Sequence, residues 1–149
     1  MDELKKLWTD VIAFVKAAND KAEDGHLNAR GTSFYAEHMT FEKVQEGIED
    51  DDTELDEIPD SVFEVFFGGR GLQFPSSNEI VALELEKMDE PSASAVVNGK
   101  QVRALIEETI IVLDKIIKHP ETSQGENDLA ASLSHEMQHR LYFLNNYLA

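Results

Sequence analysis

Four long stretches of this chain carry apolar residues at intervals of three and four, and a connection of about 45 residues separates the first two from the last two. That spacing is helical and restricts the chain to an all-α fold built on two helical hairpins. The first stretch runs from Asp2, which reads as an N-cap, to about Gly25, which reads as a stop. Its stripe is Leu4, Leu7/Trp8, Val11/Ile12, Val15 and Ala18. The second is expected from about Ser33 to Glu49 or Asp52, with Phe34, His38, Phe41, Val44 and Ile48 on one face. Only Ala29-Arg30-Gly31-Thr32 lies between them, so the two should be antiparallel neighbours.

The third stretch is expected to start near Asn98, with Gln101 in capping-box position, and to close at His119-Pro120. It carries Val102, Leu105, Thr109, Val112/Leu113 and Ile116. Ser123-x-x-Glu126 is a capping box that opens the last helix, whose stripe is Leu129, Leu133, Met137, Leu141, Leu144 and Leu148. In the middle, Asp56-Glu57-Ile58-Pro59-Asp60 leads into a short helix, Ser61 to Phe67, that Gly68-Gly69 ends. Ser76-x-x-Glu79 opens another, to about Met88, before a Pro91-Ser92-Ala93-Ser94 linker. A helix of 20 residues is about 30 Å long, a length this connection can cross and return. The expected architecture is a ferritin-like four-helix bundle with one long crossover, formed as a single domain over residues 1–149.

Composition narrows the function. With no cysteine, thiolate metal sites, disulfides and a cysteine nucleophile are excluded. No run approaches the roughly 18 apolar residues of a membrane span, and Met1-Asp2-Glu3-Leu4-Lys5-Lys6 lacks the order of a secretory signal, so a cytoplasmic location is expected. The net charge of −17 opposes direct DNA binding, which depends on cations neutralising phosphates, and favours attraction of cations.

Within that acidic chain, His26 and His38 stand twelve residues apart around a Gly31-Thr32-Ser33-Phe34 turn, and an acidic run from Glu46 to Asp60 follows. Imidazole and carboxylate together make a mixed nitrogen/oxygen site of the kind that holds iron. Plainer roles exist for each. His38 shares its stripe with Phe34 and Phe41 and could be a core residue. His26 could be a cation at a helix C-terminus. Asp56 and Asp60 could be N-caps. Glu49-Asp50-Asp51-Asp52 reads as a solvated helix end, or as a source of field for cations. His135-Glu136-Met137-Gln138-His139 matches the H-E-x-x-H pattern of zinc proteases, although only ten residues follow it and its histidines stand almost opposite the core stripe, which suits a polar interface pair better. Glu23-x-x-His26 and Glu136-x-x-His139 echo the Glu-x-x-His of di-iron bundles, but at different levels along their helices.

Taken in order, these residues resemble the Dps proteins, or mini-ferritins. His26, Gly31, Phe34, His38 and Phe41 look like the family's histidine–turn–histidine segment. Asp56 to Ser61 with Gly68-Gly69 looks like its acidic segment and stop. Gln124 to Leu129, Leu133-Ser134-His135-Glu136 and Leu144-x-x-Tyr147-Leu148 look like its ending. The resemblance implies a homo-oligomeric, dodecameric shell that oxidises ferrous iron with peroxide or dioxygen at inter-subunit sites and stores it, protecting against oxidative stress. It implies His26 and His38 of one subunit as ligands with Asp56 and Asp60 of its neighbour, and Glu121, Glu126 and Asp128 as pore residues for iron entry. The chain departs from the family pattern at Leu27, where a tryptophan is usual, and at Pro59. It also departs in an acidic segment three residues further on, so Glu57 competes with Asp60 for the second carboxylate position. The alternative is an acidic ferritin-like scaffold or decoy that has lost the iron centre and binds a protein partner.

Overall fold

The computed structural model describes all residues, Met1–Ala149, and is helical throughout, with no strand. Helices α1 (Asp2–Leu27), α2 (Phe34–Glu46), α3 (Ile58–Val62), α4 (Ser77–Lys87), α5 (Ala95–Lys118) and α6 (Gln124–Leu148) follow in order. α1 packs on α5, α5 on α6, α6 on α2 and α2 on α1, which closes a ring of four; α4 lies along α1. No helix is long and apolar enough to cross a membrane.

Most of the expected stripes form the core, but of the α2 stripe only Phe41 and Val44 are buried; Phe34 is exposed, and His38 and Ile48 are partly buried. Leu4, Trp8 and Ile12 of α1, Phe41 of α2, and Ile106 and Leu113 of α5 are fully buried with Leu55, Ile58, Phe66 and Phe67 from the middle segment. Trp8, the chain's single tryptophan, packs on Phe66 with ring centroids 5.9 Å apart. Burying side chains of this size contributes about 1.5–3 kcal/mol each.

Several boundaries differ from the sequence reading. Asp2 lies inside α1 rather than capping it, and there it favours the positive end of the helix dipole. Gly25 does not stop α1, which runs on to Leu27; Gly25 is buried where any Cβ would collide with the Phe41 ring. The glycine therefore serves the close approach of α1 and α2.

α2 ends at Glu46, not in the acidic run. Gly47 takes φ 93°, open to glycine at little cost, and a Cβ there would lie 2.6 Å from Asp52 Cβ. Asp52 Oδ2 then accepts from the backbone N–H groups of Ile48 and Glu49, at 3.0 and 3.1 Å. Local hydrogen bonding of this kind competes with further helix.

Asp56 and Asp60 are not N-caps. Asp56 lies in a 3₁₀ turn, Leu55–Glu57, and Asp60 lies inside α3. Pro59 sits in the first turn of α3, where its missing N–H costs nothing, so it starts this helix instead of breaking it. The helical path continues as a π-helical turn, Phe63–Phe67, and gives way at Gly68.

Ser76 caps α4 as expected, and Ser123 with Glu126 forms a complete capping box on α6. α5 starts at Ala95, three residues before the expected Asn98, because Ser94 is the N-cap. Asn98 is buried inside the helix and donates to the Ser92 carbonyl.

Candidate metal centre

His26 is in the last turn of α1 and His38 in the first half of α2, and the short connection brings their rings together edge-on, 70° between planes. Their Nε2 atoms lie 3.3 Å apart. Two nitrogens on one first-row metal with bonds of about 2.1 Å stand roughly 3.0–3.4 Å apart, so the separation suits a shared ion. Phe34 stacks on the His38 ring at 5.2 Å and holds its plane.

The tautomer of His26 is fixed by its neighbours. Gln45 Nε2 donates to Glu23 Oε2 at 2.7 Å, which turns Gln45 Oε1 toward His26. That oxygen can only accept, so His26 Nδ1 carries the hydrogen and donates to it at 3.3 Å. The His26 Nε2 lone pair is left facing His38. A partner on the other ring nitrogen, orienting the metal-facing one, is the usual outer-shell arrangement of a metal histidine.

Beside His26 is a cleft of about 350 Å³, lined also by Asn19, Gln45 and the carboxylates Glu23, Glu42, Glu46, Glu54 and Asp56; His38 is outside its lining. A smaller cavity shares Asn19 and Asp56 with it and adds Lys16, Asp20 and Glu84. Glu84 is nearly buried, and burial first, then a proton shared with Asp20, pushes its carboxyl up to about 7.

Of the acidic residues singled out in the sequence, Asp56 lines the cleft with His26, whereas Glu57 and Asp60 are exposed and outside its lining. Glu42 Oε2 is 3.8 Å from His38 Nε2, and Glu23 Oε2 is 3.9 Å from His26 Nδ1. No carboxylate of the same chain joins both histidines in a compact three-ligand group; the chain's one such group is Glu49, Asp52 and His139. Glu23 is the glutamate of the Glu23-x-x-His26 motif noted in the sequence; Gln45 and Glu42 were not singled out there, yet helical spacing could have found them. Glu42 and Gln45 follow His38 by four and seven residues, and Glu23 precedes His26 by three.

The expected pore residues are placed differently from one another. Glu126 is buried and receives Arg70 through two nitrogens, at 2.6 and 2.8 Å, as well as the Ser123 N–H. Burial alone would raise its pKa; Arg70 and Ser123 hold it below the usual value. Glu121 is half-exposed and pairs with the Met1 amino group at 2.8 Å, and Asp128 accepts from Gln124. In the H-E-x-x-H segment, Glu136 is turned into the fold, where Oε1 accepts from the Thr53 N–H at 2.9 Å. It is therefore not aimed as a base at a substrate between the histidines. The two Glu-x-x-His motifs belong to separate clusters, His26 with His38 and His139 with Glu49 and Asp52.

No protein-family model matches the chain, and no curated protein matches it significantly.

Proposed function

We propose that the chain is a ferritin-like protein of the mini-ferritin type, which binds ferrous iron at His26 and His38 and oxidises it at a centre that a second copy of the chain completes. The carrying observation is the convergence of the two Nε2 atoms at 3.3 Å, with one tautomer already fixed through Gln45 and Glu23. Two nitrogens alone make a weak iron site, and hard oxygen donors are needed to favour the ferric product. Glu42 Oε2, 3.8 Å from His38 Nε2, can supply one such oxygen, and the remaining donors would come from an acidic segment such as Asp56 to Asp60 of another subunit.

Exposed Leu27, Phe34 and Tyr35 flank the histidines, an apolar rim that a docking subunit would cover. The acidic cleft supplies an attractive field for the incoming cation. Each ferrous ion gives up one electron; peroxide takes two electrons and two protons and leaves as two waters. Storage in a homo-oligomeric cage in the cytoplasm belongs to the same reading.

The test is anaerobic loading with ferrous iron followed by peroxide, read as near-ultraviolet ferric absorbance. Wild type should oxidise iron rapidly, and the His26→Ala/His38→Ala double variant should fall to the rate of buffer alone. Background oxidation in both would leave the acidic scaffold reading.

Gln45→Ala provides a graded check. The histidines remain, but His26 loses the acceptor that fixes its tautomer. Ferrous affinity should fall about 10–100-fold, as is usual for outer-shell partners of metal histidines. An unchanged affinity in an iron titration would mean that Gln45 does not orient the ligand.

A further inference from the structure

A second cluster lies outside the histidine cleft, where the turn after α2 meets α6. We propose that Glu49, Asp52 and His139 form a separate metal site for a divalent first-row transition ion such as Zn2+. Their three ligand atoms lie within 4.8 Å of one another. A tetrahedral ion with bonds of about 2.1 Å holds its donors roughly 3.4 Å apart, so closure needs movements of about 1 Å. Glu49, whose side chain is 56% exposed, can supply that movement. Asp52 is already fixed, because one carboxylate oxygen accepts from two backbone N–H groups.

His139 Nδ1 is sealed from solvent and has no hydrogen-bond partner. It faces Glu49 Oε1 at 3.9 Å and Asp52 Oδ2 at 4.0 Å, too far to donate to either. A buried nitrogen between two anionic oxygens, bonded to neither, has the surroundings of a cation ligand. Glu136, 6% exposed and bonded through Oε1 to the residue after Asp52, keeps Oε2 without a partner as well.

The local charge agrees. Glu49, Asp52 and Glu136 carry three negative charges when ionised, and Arg140 carries one positive charge, which leaves two negative charges around His139. Arg140 does not satisfy the carboxylates directly, since Nε and Nη2 donate to the Val44 and Thr53 carbonyls. His135, exposed one turn before His139, lies against its ring with centroids 4.2 Å apart; water would complete the coordination. Such an ion would staple the Gly47–Thr53 turn to α6 and steady the neighbouring Glu54 and Asp56, which line the histidine cleft. This site is independent of the iron reading, so either can fail without the other.

The test uses the full chain carrying His26→Ala/His38→Ala, which removes the first site. Zn2+ is titrated by calorimetry and Co2+ by its visible absorption. The expected result is one ion per chain, a thermal midpoint that rises with Zn2+, and a shift of the His139 Nδ1 resonance in nitrogen-15 histidine spectra. Glu49→Gln, at an exposed position, should keep the fold and weaken binding at least about tenfold; His139→Gln should weaken it more, since a direct ligand matters more than the outer-shell groups that cost roughly 10–100-fold. Absence of stoichiometric binding, or binding that neither substitution changes, would overturn the site in favour of a bound water or diffuse cation attraction to an acidic surface.

Discussion

Replacing Arg140 with alanine should destabilise the protein by about 3–5 kcal/mol, the usual effect of removing one partner from a buried charged network. Arg140 is fully buried on α6, with Glu136 and Asp52 as the negative groups acting on it. Its Nε donates to the Val44 carbonyl and its Nη2 to the Thr53 carbonyl, both at 2.6 Å. Val44 is in the last turn of α2, where carbonyls have no helical partner to accept from, and Thr53 closes the turn that follows. One guanidinium therefore satisfies both ends of the irregular segment 47–53 and offsets the charge of the carboxylates beside it. Alanine would leave two carbonyls and two carboxylates without it. For a chain of this length the thermal midpoint should fall by roughly 10 °C. Lysine would keep the charge but not the fork, and should recover only part of the loss. A midpoint within a degree or two of wild type for Arg140→Ala would mean that the network contributes little.

Acidification from pH 7.5 to about 5 should stabilise the protein beyond what relief of its −17 net charge contributes, and Glu84→Gln should remove that extra part. Glu84 has its pKa raised from 4.5 to about 7 by burial first and then by Asp20, with Lys16 opposing. In the unfolded chain it ionises at its ordinary value, so between pH 4.5 and about 7 the folded state binds more protons than the unfolded state. The stabilisation is complete below the lower value and is lost as pH rises through the upper one. The span corresponds to about 3 kcal/mol, held by the Asp20–Glu84 pair rather than by either residue alone. Glu136, also raised by burial, acts in the same direction. Glu126, held below its usual value by Arg70 and Ser123, acts oppositely and only at lower pH. Thermal midpoints across this range, for wild type and Glu84→Gln, measure the effect directly. Coincident profiles would remove Glu84 as the cause.

What could be read in advance was what spacing carries. The stripes Leu4 to Ala18 and Leu129 to Leu148 repeat at helical intervals, and Ser76 and Ser123 stand before their helices with a glutamate three residues on. The start of α5 was harder. Ser94 is followed by Val97 rather than a glutamate, so the cap lacks its usual second half and Gln101 suggested a later beginning. Arg140 was not legible, because a charged residue next to an apolar stripe ordinarily points to solvent. The Glu49–Asp52 run was misplaced for a related reason: whether four acidic residues extend a helix or fold back depends on the glycine before them and on α6, which lies far away in sequence. At the candidate centre, the histidine pair was visible from its spacing and turn. The Gln45–Glu23 relay was not, because it requires knowing which faces of α1 and α2 meet.

The position of Trp8 makes the molecule its own optical monitor. The sole indole is sealed against Phe66, so its emission should be blue-shifted while α1 stays docked and should move to the red when water reaches the core. Eighteen residues of continuous helix separate it from His26, about 27 Å along the axis. An ion bound at the histidines is thus too distant to quench the indole by contact. Colour at the metal and fluorescence from the core report on different ends of one helix, and a variant that loses the first while retaining the second has lost its centre and kept its fold.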